Sequence, residues 1–231
     1  MYKTYTLDNL VIGKSNHIAF RSIENSLTNM GVQNNPLTLY GASGSGKTYL
    51  AHIWVKHVVQ ARQSAIHLSA MEFIDQYVFA LSNQTEDEFR NDIIKCDLLI
   101  IDDLQHCVGR FGSQDELCLI LDQRIANDKQ TIFTSSKHPK SLDWNSLLLE
   151  SRLLSGLNIE LQLPDTSMQI QILKKKLMAV GVEISEDLLA RAIENTNGNG
   201  WIIEGVAKQI FDMSRQRIEI NENTVVSLLQ V

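Results

Sequence analysis

The sequence predicts an α/β fold: a five-stranded parallel sheet in an αβα sandwich over residues 1–163, then a small helical domain over 164–231. Three observations carry this. Short apolar runs alternate with stretches of helical periodicity, as in parallel sheets covered on both faces. The first run passes through Gly41-Ala42-Ser43-Gly44-Ser45-Gly46-Lys47-Thr48, which matches the phosphate-loop pattern G-x-x-x-x-G-K-[ST] at every fixed position. At Pro164-Asp165 the alternation stops, and the rest reads as helix with short Gly or Asn turns.

In chain order, the first strand is Leu37–Tyr40, and the helix after the loop is marked by Leu50, Ile53, Trp54 and Val58 at helical spacing. Further strands are expected at Ala65–Leu68, Leu98–Asp102, Thr131–Thr134 and Ile159–Leu163. Helices are expected at Met71–Leu81 and Thr85–Ile94. Ser69 with Glu72, Thr85 with Glu88, Ser113 with Glu116 and Thr166 with Gln169 have the spacing of capping boxes, in which hydroxyl and carboxylate or amide each satisfy an orphan N–H. There are no internal repeats and no low-complexity tracts.

Composition bounds the partners. With 231 residues, 44% of them hydrophobic, the chain can bury one substantial core and a small second one. A formal charge of -6 and the lack of a basic stripe argue against a general nucleic-acid coat. Cys96, Cys107 and Cys118 fall in no C-x-x-C pattern, which predicts reduced, buried thiols and neither disulfide nor zinc. No apolar stretch is long enough to span a membrane, and Met1–Asp8 has no signal-peptide core, so a cytoplasmic protein is expected.

The loop predicts a bound nucleoside triphosphate. Gly41, Gly44 and Gly46, with Ser43 and Ser45, let backbone N–H groups turn toward phosphate oxygens at the positive end of a helix. Lys47 is expected to reach the outer phosphates as a charged arm in a solvent-facing site, and Thr48 to place its hydroxyl on Mg²⁺. The run Leu98-Leu99-Ile100-Ile101-Asp102-Asp103 ends in two carboxylates at the strand end where open parallel sheets bind ligands. Asp102 is expected to hold Mg²⁺ and Asp103 to polarise the attacking water. Phe133-Thr134-Ser135-Ser136 closes the next strand with small hydroxyl residues, of which Ser136 is the candidate for touching the terminal phosphate or the water.

Four further segments add a resemblance. Tyr5-Thr6-Leu7-Asp8-Asn9-Leu10-Val11-Ile12-Gly13-Lys14-Ser15-Asn16 resembles the segment that leads into the ATPase core of the bacterial replication initiator DnaA family. Ile100-Ile101-Asp102-Asp103-Leu104-Gln105 looks like that family's acidic motif, and Ser151-Arg152-Leu153 with Leu161-Gln162-Leu163-Pro164-Asp165 like its arginine-finger region. Ile202-Ile203-Glu204-Gly205-Val206 resembles its lid helix. The resemblance implies an AAA+ module with ATP or ADP and Mg²⁺ as cofactors. It adds Asn9, Val11 and Ile12, beside the adenine, and Tyr49, after the loop, to the nucleotide-binding set. It gives Arg152 the role of reaching a nucleotide held by a neighbouring subunit, either a full-length initiator or a second copy; an internal pair with Glu150 or Asp165 is the alternative.

Departures from the family pattern shape the expected function. The chain ends at Val231, where the lid should end, so no reader of duplex DNA is expected. Its organisation looks like that of short Hda-type regulators that act through the initiator. Met1–Asp8 lacks a sliding-clamp motif, and Leu161–Pro164, which has some of the letters, is expected inside a core strand. The resemblance puts a lid arginine where Trp201, expected as a buried indole, stands, and an acidic residue where Ser136 stands; both predict slow or partner-stimulated hydrolysis. The helices Met71–Leu81 and Thr85–Ile94 occupy the family's grip on single-stranded DNA. Phe73, Tyr77, Phe79 and Phe89 could stack on bases, but Arg90 and Lys95 are set against six acids, so contact with single strands is expected to be weak. A DNA-engaging initiator domain or helicase loader is the alternative reading. A small-molecule phosphotransferase lacks its Arg-rich lid here, and a GTPase its N/T-K-x-D sequence.

Overall fold

A computed structural model describes residues 6–227, so Tyr5 and most of the segment Met1–Asp8 lie outside the described residues. Within them the chain forms two compact units. One consists of Ile18–Ala42 and Lys47–Leu161; the other of 6–17, Ser43–Gly46 and 162–227.

The first unit is built on five parallel strands: β1 Leu37–Tyr40, β2 Ala65–Ser69, β3 Leu98–Asp102, β4 Gln130–Ser135 and β5 Leu157–Glu160, in the order β2-β3-β4-β1-β5. Leu98, Leu99, Ile100 and Ile101 of β3 are wholly buried, as a strand covered on both faces must be. Helices α1 His17–Thr28, α2 Lys47–Gln60, α3 Ala70–Asn83, α4 Glu86–Lys95, α5 Phe111–Ala126 and α6 Leu147–Ser155 complete the unit. Phe73, Ile74, Ile93, Leu117, Leu121 and Leu149 pack with β3 and β4 into its main core.

Two expectations are corrected. The last strand ends at Glu160 and not Leu163, because β1 turns away at Gly41 and the final ladder bond is Leu161 N–H to Tyr40 C=O, 2.7 Å. Leu161 stays buried, but Gln162 is exposed, so Leu161–Pro164 is not a core strand. Of the capping boxes, Ser69–Glu72 has both halves. Thr85 makes no side-chain cap bond, and Ser113 and Glu116 lie buried inside α5, where Glu116 accepts two hydrogen bonds from Arg90 at 2.7 and 2.8 Å.

The second unit holds α7 Thr166–Met178, α8 Glu186–Ile193, α9 Gly200–Arg215 and α10 Glu222–Ser227 around Leu173, Leu177, Leu189, Ile203 and Ile210. Asp165, not Thr166, caps α7, accepting from Met168 N–H at 2.9 Å. Gln169 is turned inward instead, donating to Pro164 C=O at 2.8 Å and accepting from Thr196 Oγ1 at 2.6 Å. Cys96, Cys107 and Cys118 are buried free thiols, as expected. Among the described residues no helix is long and apolar enough to cross a membrane.

Candidate nucleotide site

The loop after β1 has a backbone that its glycines make affordable. Gly41, Gly44 and Gly46 all have positive φ, at 152°, 82° and 100°. A Cβ on Gly41 would meet Leu161 O at 2.2 Å, and one on Gly44 would meet Asn199 Oδ1 at 2.3 Å. A Cβ on Gly46 would meet nothing within 4 Å, so it would project into the open space a ligand needs. The loop runs into α2, which starts at Lys47 and so presents its unpaired N–H groups and positive dipole end to the loop.

Lys47 corrects an expectation. It is only 7% exposed, folded back onto its own loop, with Nζ donating to Gly41 O at 2.7 Å and Ala42 O at 2.9 Å. Burial lowers its pKa, against the pull of Asp103 and Asp102 in the opposite direction. The Ser45 hydroxyl is buried and has no hydrogen-bond partner among the described residues. A buried ammonium held by carbonyls and, separately, a hydroxyl without a partner are each donors that a phosphate oxygen could accept from.

The carboxylates stand at the C-terminal end of β3. Asp102 is 7% exposed, and the Thr134 hydroxyl of β4, wholly buried, donates to its Oδ1. The same Thr134 oxygen accepts the Asp103 N–H at 2.9 Å. Asp103 has the left-handed φ of 59°, a strained setting for a non-glycine residue that re-aims its side chain. Gln105 then donates Nε2–H to Asp103 Oδ1 at 3.0 Å and accepts the Ser136 N–H on Oε1 at 2.9 Å. Among the described residues no group of acids, His and Cys forms a metal cage by itself.

Of the hydroxyl residues that close β4, the one expected at the site, Ser136, lies just past the strand, while Thr134 lies within it. Ser136 is exposed and reaches the carboxylates only through Gln105, whereas Thr134 touches them directly. The available signal was the sheet alternation: β3 and β4 are neighbours, so a hydroxyl at the end of one faces the acid at the end of the other.

The other expected residues are placed as follows. In the second unit Asn9 closes a short 3-10 turn, Val11 is buried and Ile12 is half exposed. Asn16 shapes that segment, donating Nδ2–H to Val11 O and accepting Gly13 N–H, each at 2.9 Å. Lys175 of α7 donates to Asp8 O at 2.8 Å and Leu10 O at 3.1 Å. Gly44 C=O accepts the Gly200 N–H at the start of α9, 2.9 Å. Trp201, next in line, is 58% exposed rather than buried, because the helix core is built by Ile203, Val206, Ala207 and Ile210 on the opposite face. In the first unit Thr48 and Tyr49 sit in the opening turn of α2. Arg152 on α6 pairs with neither Glu150 nor Asp165; its Nε donates to Asp122 of α5 at 2.5 Å. Phe73 is buried and packs on Phe89 with ring centroids 5.6 Å apart, while Phe79 is exposed. Arg90 is tied to Glu116 and Asp87, which leaves little free cation on this face for a phosphate backbone.

A parallel sheet in this order, with a phosphate loop after β1 and paired acids after β3, defines the AAA+ class of nucleotide-binding module. The Bacterial DnaA ATPase domain family matches residues 1–160, and the chain belongs to that family. The chromosomal replication initiator DnaA of Aquifex aeolicus is 34% identical over 206 residues, 89% of this chain and 51% of that protein. The Wolinella succinogenes initiator is 32% identical over 88% of this chain and 46% of its own length; the chain spans about half the length of such relatives. Among solved structures, domain III of Thermotoga maritima DnaA superposes with a TM-score of 0.91 at 27% identity, covering 100% of this chain and 97% of that one. A replication initiator DnaA bound to AMPPCP and single-stranded DNA superposes at 0.84 with 32% identity, covering 94% and 69%.

Proposed function

We propose that this chain is an ATP- or ADP-binding AAA+ protein that controls initiation of chromosomal replication through protein partners, with residues 1–163 as the nucleotide-binding core and 164–231 as its lid. The observation that carries nucleotide binding is the half-finished donor set of the loop: buried Lys47 on two carbonyls and Ser45 Oγ with no partner. Binding to DnaA relatives of an ATP analogue supports it. The loop N–H groups, Ser43, Ser45 and Lys47 would hold the phosphates; Asn9, Val11, Ile12 and Tyr49 would complete the nucleotide contacts. Thr48 and Asp102 would hold Mg²⁺, which on binding supplies neutralisation of phosphate charge. Asp103 accepts the proton of the attacking water. Ser136 has no acid to offer, and Trp201 replaces the lid arginine, so turnover is slow without a partner.

Arg152 acts in trans, on a nucleotide held by a full-length initiator or a second copy. Asp122 holds its guanidinium until then. The alternative, a DNA-engaging initiator domain, is favoured by the relative solved with single-stranded DNA. It is disfavoured here by the cation-poor face of α3 and α4, where Arg90 is already paired.

Calorimetry with ATP and Mg²⁺ on two variants tests the reading. Lys47→Ala should lose measurable binding, and Arg152→Ala should bind ATP like the parent while losing any turnover gained at high protein concentration or on mixing with an initiator. Equal ATP affinity in Lys47→Ala and parent removes the nucleotide site.

A further inference from the structure

We propose that Gln105 is a positioning residue for Asp103, locking that carboxylate to the turn after β4 so that base and turn move as one. This rests on the reading of Asp103 as the group that takes a proton from the attacking water. Gln105 donates one N–H to Asp103 Oδ1 at 3.0 Å while its carbonyl oxygen accepts the Ser136 N–H at 2.9 Å. A carboxamide can do both at once because its donor and its acceptor sit on separate atoms at the end of one side chain.

The need for such a tether is written in the backbone. Asp103 sits at φ 59°, off the strand line, and its N–H is spent on Thr134. Its main chain is therefore fixed, but a carboxylate on a short arm still rotates about its side-chain torsions. The Gln105 donor occupies one oxygen, Oδ1, and leaves the other for water. Thr134 plays the matching part for Asp102. The two acids thus have separate orienting partners, which suits two separate tasks, metal and proton.

In the step concerned, the water oxygen bonds to the terminal phosphorus and the bond from that phosphorus to the bridging oxygen breaks. The leaving diphosphate keeps the electron pair, and the water proton passes to Asp103. Gln105 takes no proton and makes no bond to substrate. Its effect is on orientation alone, which for a misaimed base costs on the order of 10- to 100-fold in rate.

The experiment uses the full chain with Mg²⁺ and ATP, measuring the dissociation constant with a fluorescent ATP analogue and the single-turnover hydrolysis rate. The variants are Gln105→Met, which removes both bonds at similar volume, Gln105→Glu, which keeps the acceptor for Ser136 N–H but loses the donor, Asp103→Asn, and the double variant Gln105→Met with Asp103→Asn. Gln105→Met should bind as the parent does and hydrolyse about tenfold slower or more. Gln105→Glu should not restore the rate, and the double variant should be no slower than Asp103→Asn alone, a non-additivity that a purely structural residue does not show. Parental rates in both Gln105 variants, or full rescue by Gln105→Glu, or additive losses in the double variant, overturn the proposal. Loss of ATP binding by the parent, or an Asp103→Asn that hydrolyses like the parent, overturns the underlying reading and the proposal with it, and is told apart because the Gln105 variants play no part in either result.

Discussion

The two ends of one sheet use polar groups to opposite purposes. At the N-terminal end of β3 and β4, Arg124 is wholly buried and spends its guanidinium on the carbonyls of Ile93, Ile94, Cys96 and Gln130 and on Thr131 Oγ1. Beside it Asp97 accepts from Lys129 Nζ at 2.7 Å and from Ser64 N–H and Oγ–H at 2.9 and 2.8 Å. Every bond there joins chain to chain. At the C-terminal end the side chains of Asp102, Asp103 and Lys47 are held by groups that orient rather than neutralise them: Thr134, Gln105 and the carbonyls of Gly41 and Ala42. The first cluster is saturated and stabilises the fold; the second is where the proposed nucleotide would bind.

The comparison breaks most visibly at Arg124. Arg124→Leu leaves several buried carbonyls without a donor, each worth about 1 to 3 kcal/mol, so a loss of about 3 kcal/mol or more in unfolding free energy is expected. Urea unfolding measures it, and ATP affinity of the folded fraction should not change. A stability within about 0.5 kcal/mol of the parent would show that water satisfies those carbonyls instead. Lys is no substitute, having no planar fork of donors.

Trp201→Arg sharpens the other end. The indole is 58% exposed, so its removal costs the core little. An arginine that reaches phosphate contributes up to about 10³- to 10⁵-fold in comparable enzymes, and a rise of about tenfold or more in ATP hydrolysis is expected. A parent that already turns over quickly by itself would make the tryptophan irrelevant to rate.

The smallest effect is at Asp97, whose pKa is depressed from 3.8 to about 2, first by the hydrogen bond from Lys129 and then by those from Ser64. A depressed carboxylate contributes stability above its unfolded pKa and loses it as pH falls through the folded one. The loss should therefore appear between about pH 4 and pH 2, and in Asp97→Asn that part of the acid dependence should vanish. The pair is part-exposed, so the contribution is about 1 kcal/mol or less, read from unfolding curves at a series of pH values. Identical acid profiles for parent and variant would place the acid sensitivity elsewhere.

Strand β1, the loop, α2 and β3 were legible in the sequence because each is dictated locally: β-formers in a run, glycines at positive φ, acids closing an apolar stretch. What was hidden depends on partners distant in sequence. Ser113 and Glu116 have capping-box spacing, but Arg90 reaches Glu116 from another helix and draws it into the interior. Lys47 reads as a free arm until the loop folds and offers it Gly41 and Ala42 carbonyls. Trp201 reads as core by hydrophobicity, yet its neighbours at helical spacing choose the face and leave it outside. The same limit hid Gln105, which gains its task only when β4 arrives beside β3.

Arg124 also bears on where the two acids stand. Its bonds to Cys96 O at 2.9 Å and Gln130 O at 2.6 Å clasp the chain on either side of β3 and the helix after it, as a cross-link would, without a covalent bond. Inside that ring β3 cannot creep along its neighbours. A slip of one residue would carry Asp102 and Asp103 about 3.3 Å along β4, away from Thr134, and turn each to the wrong face. The anchor at the foot of the strand is thus what sets the height of the two acids at its head.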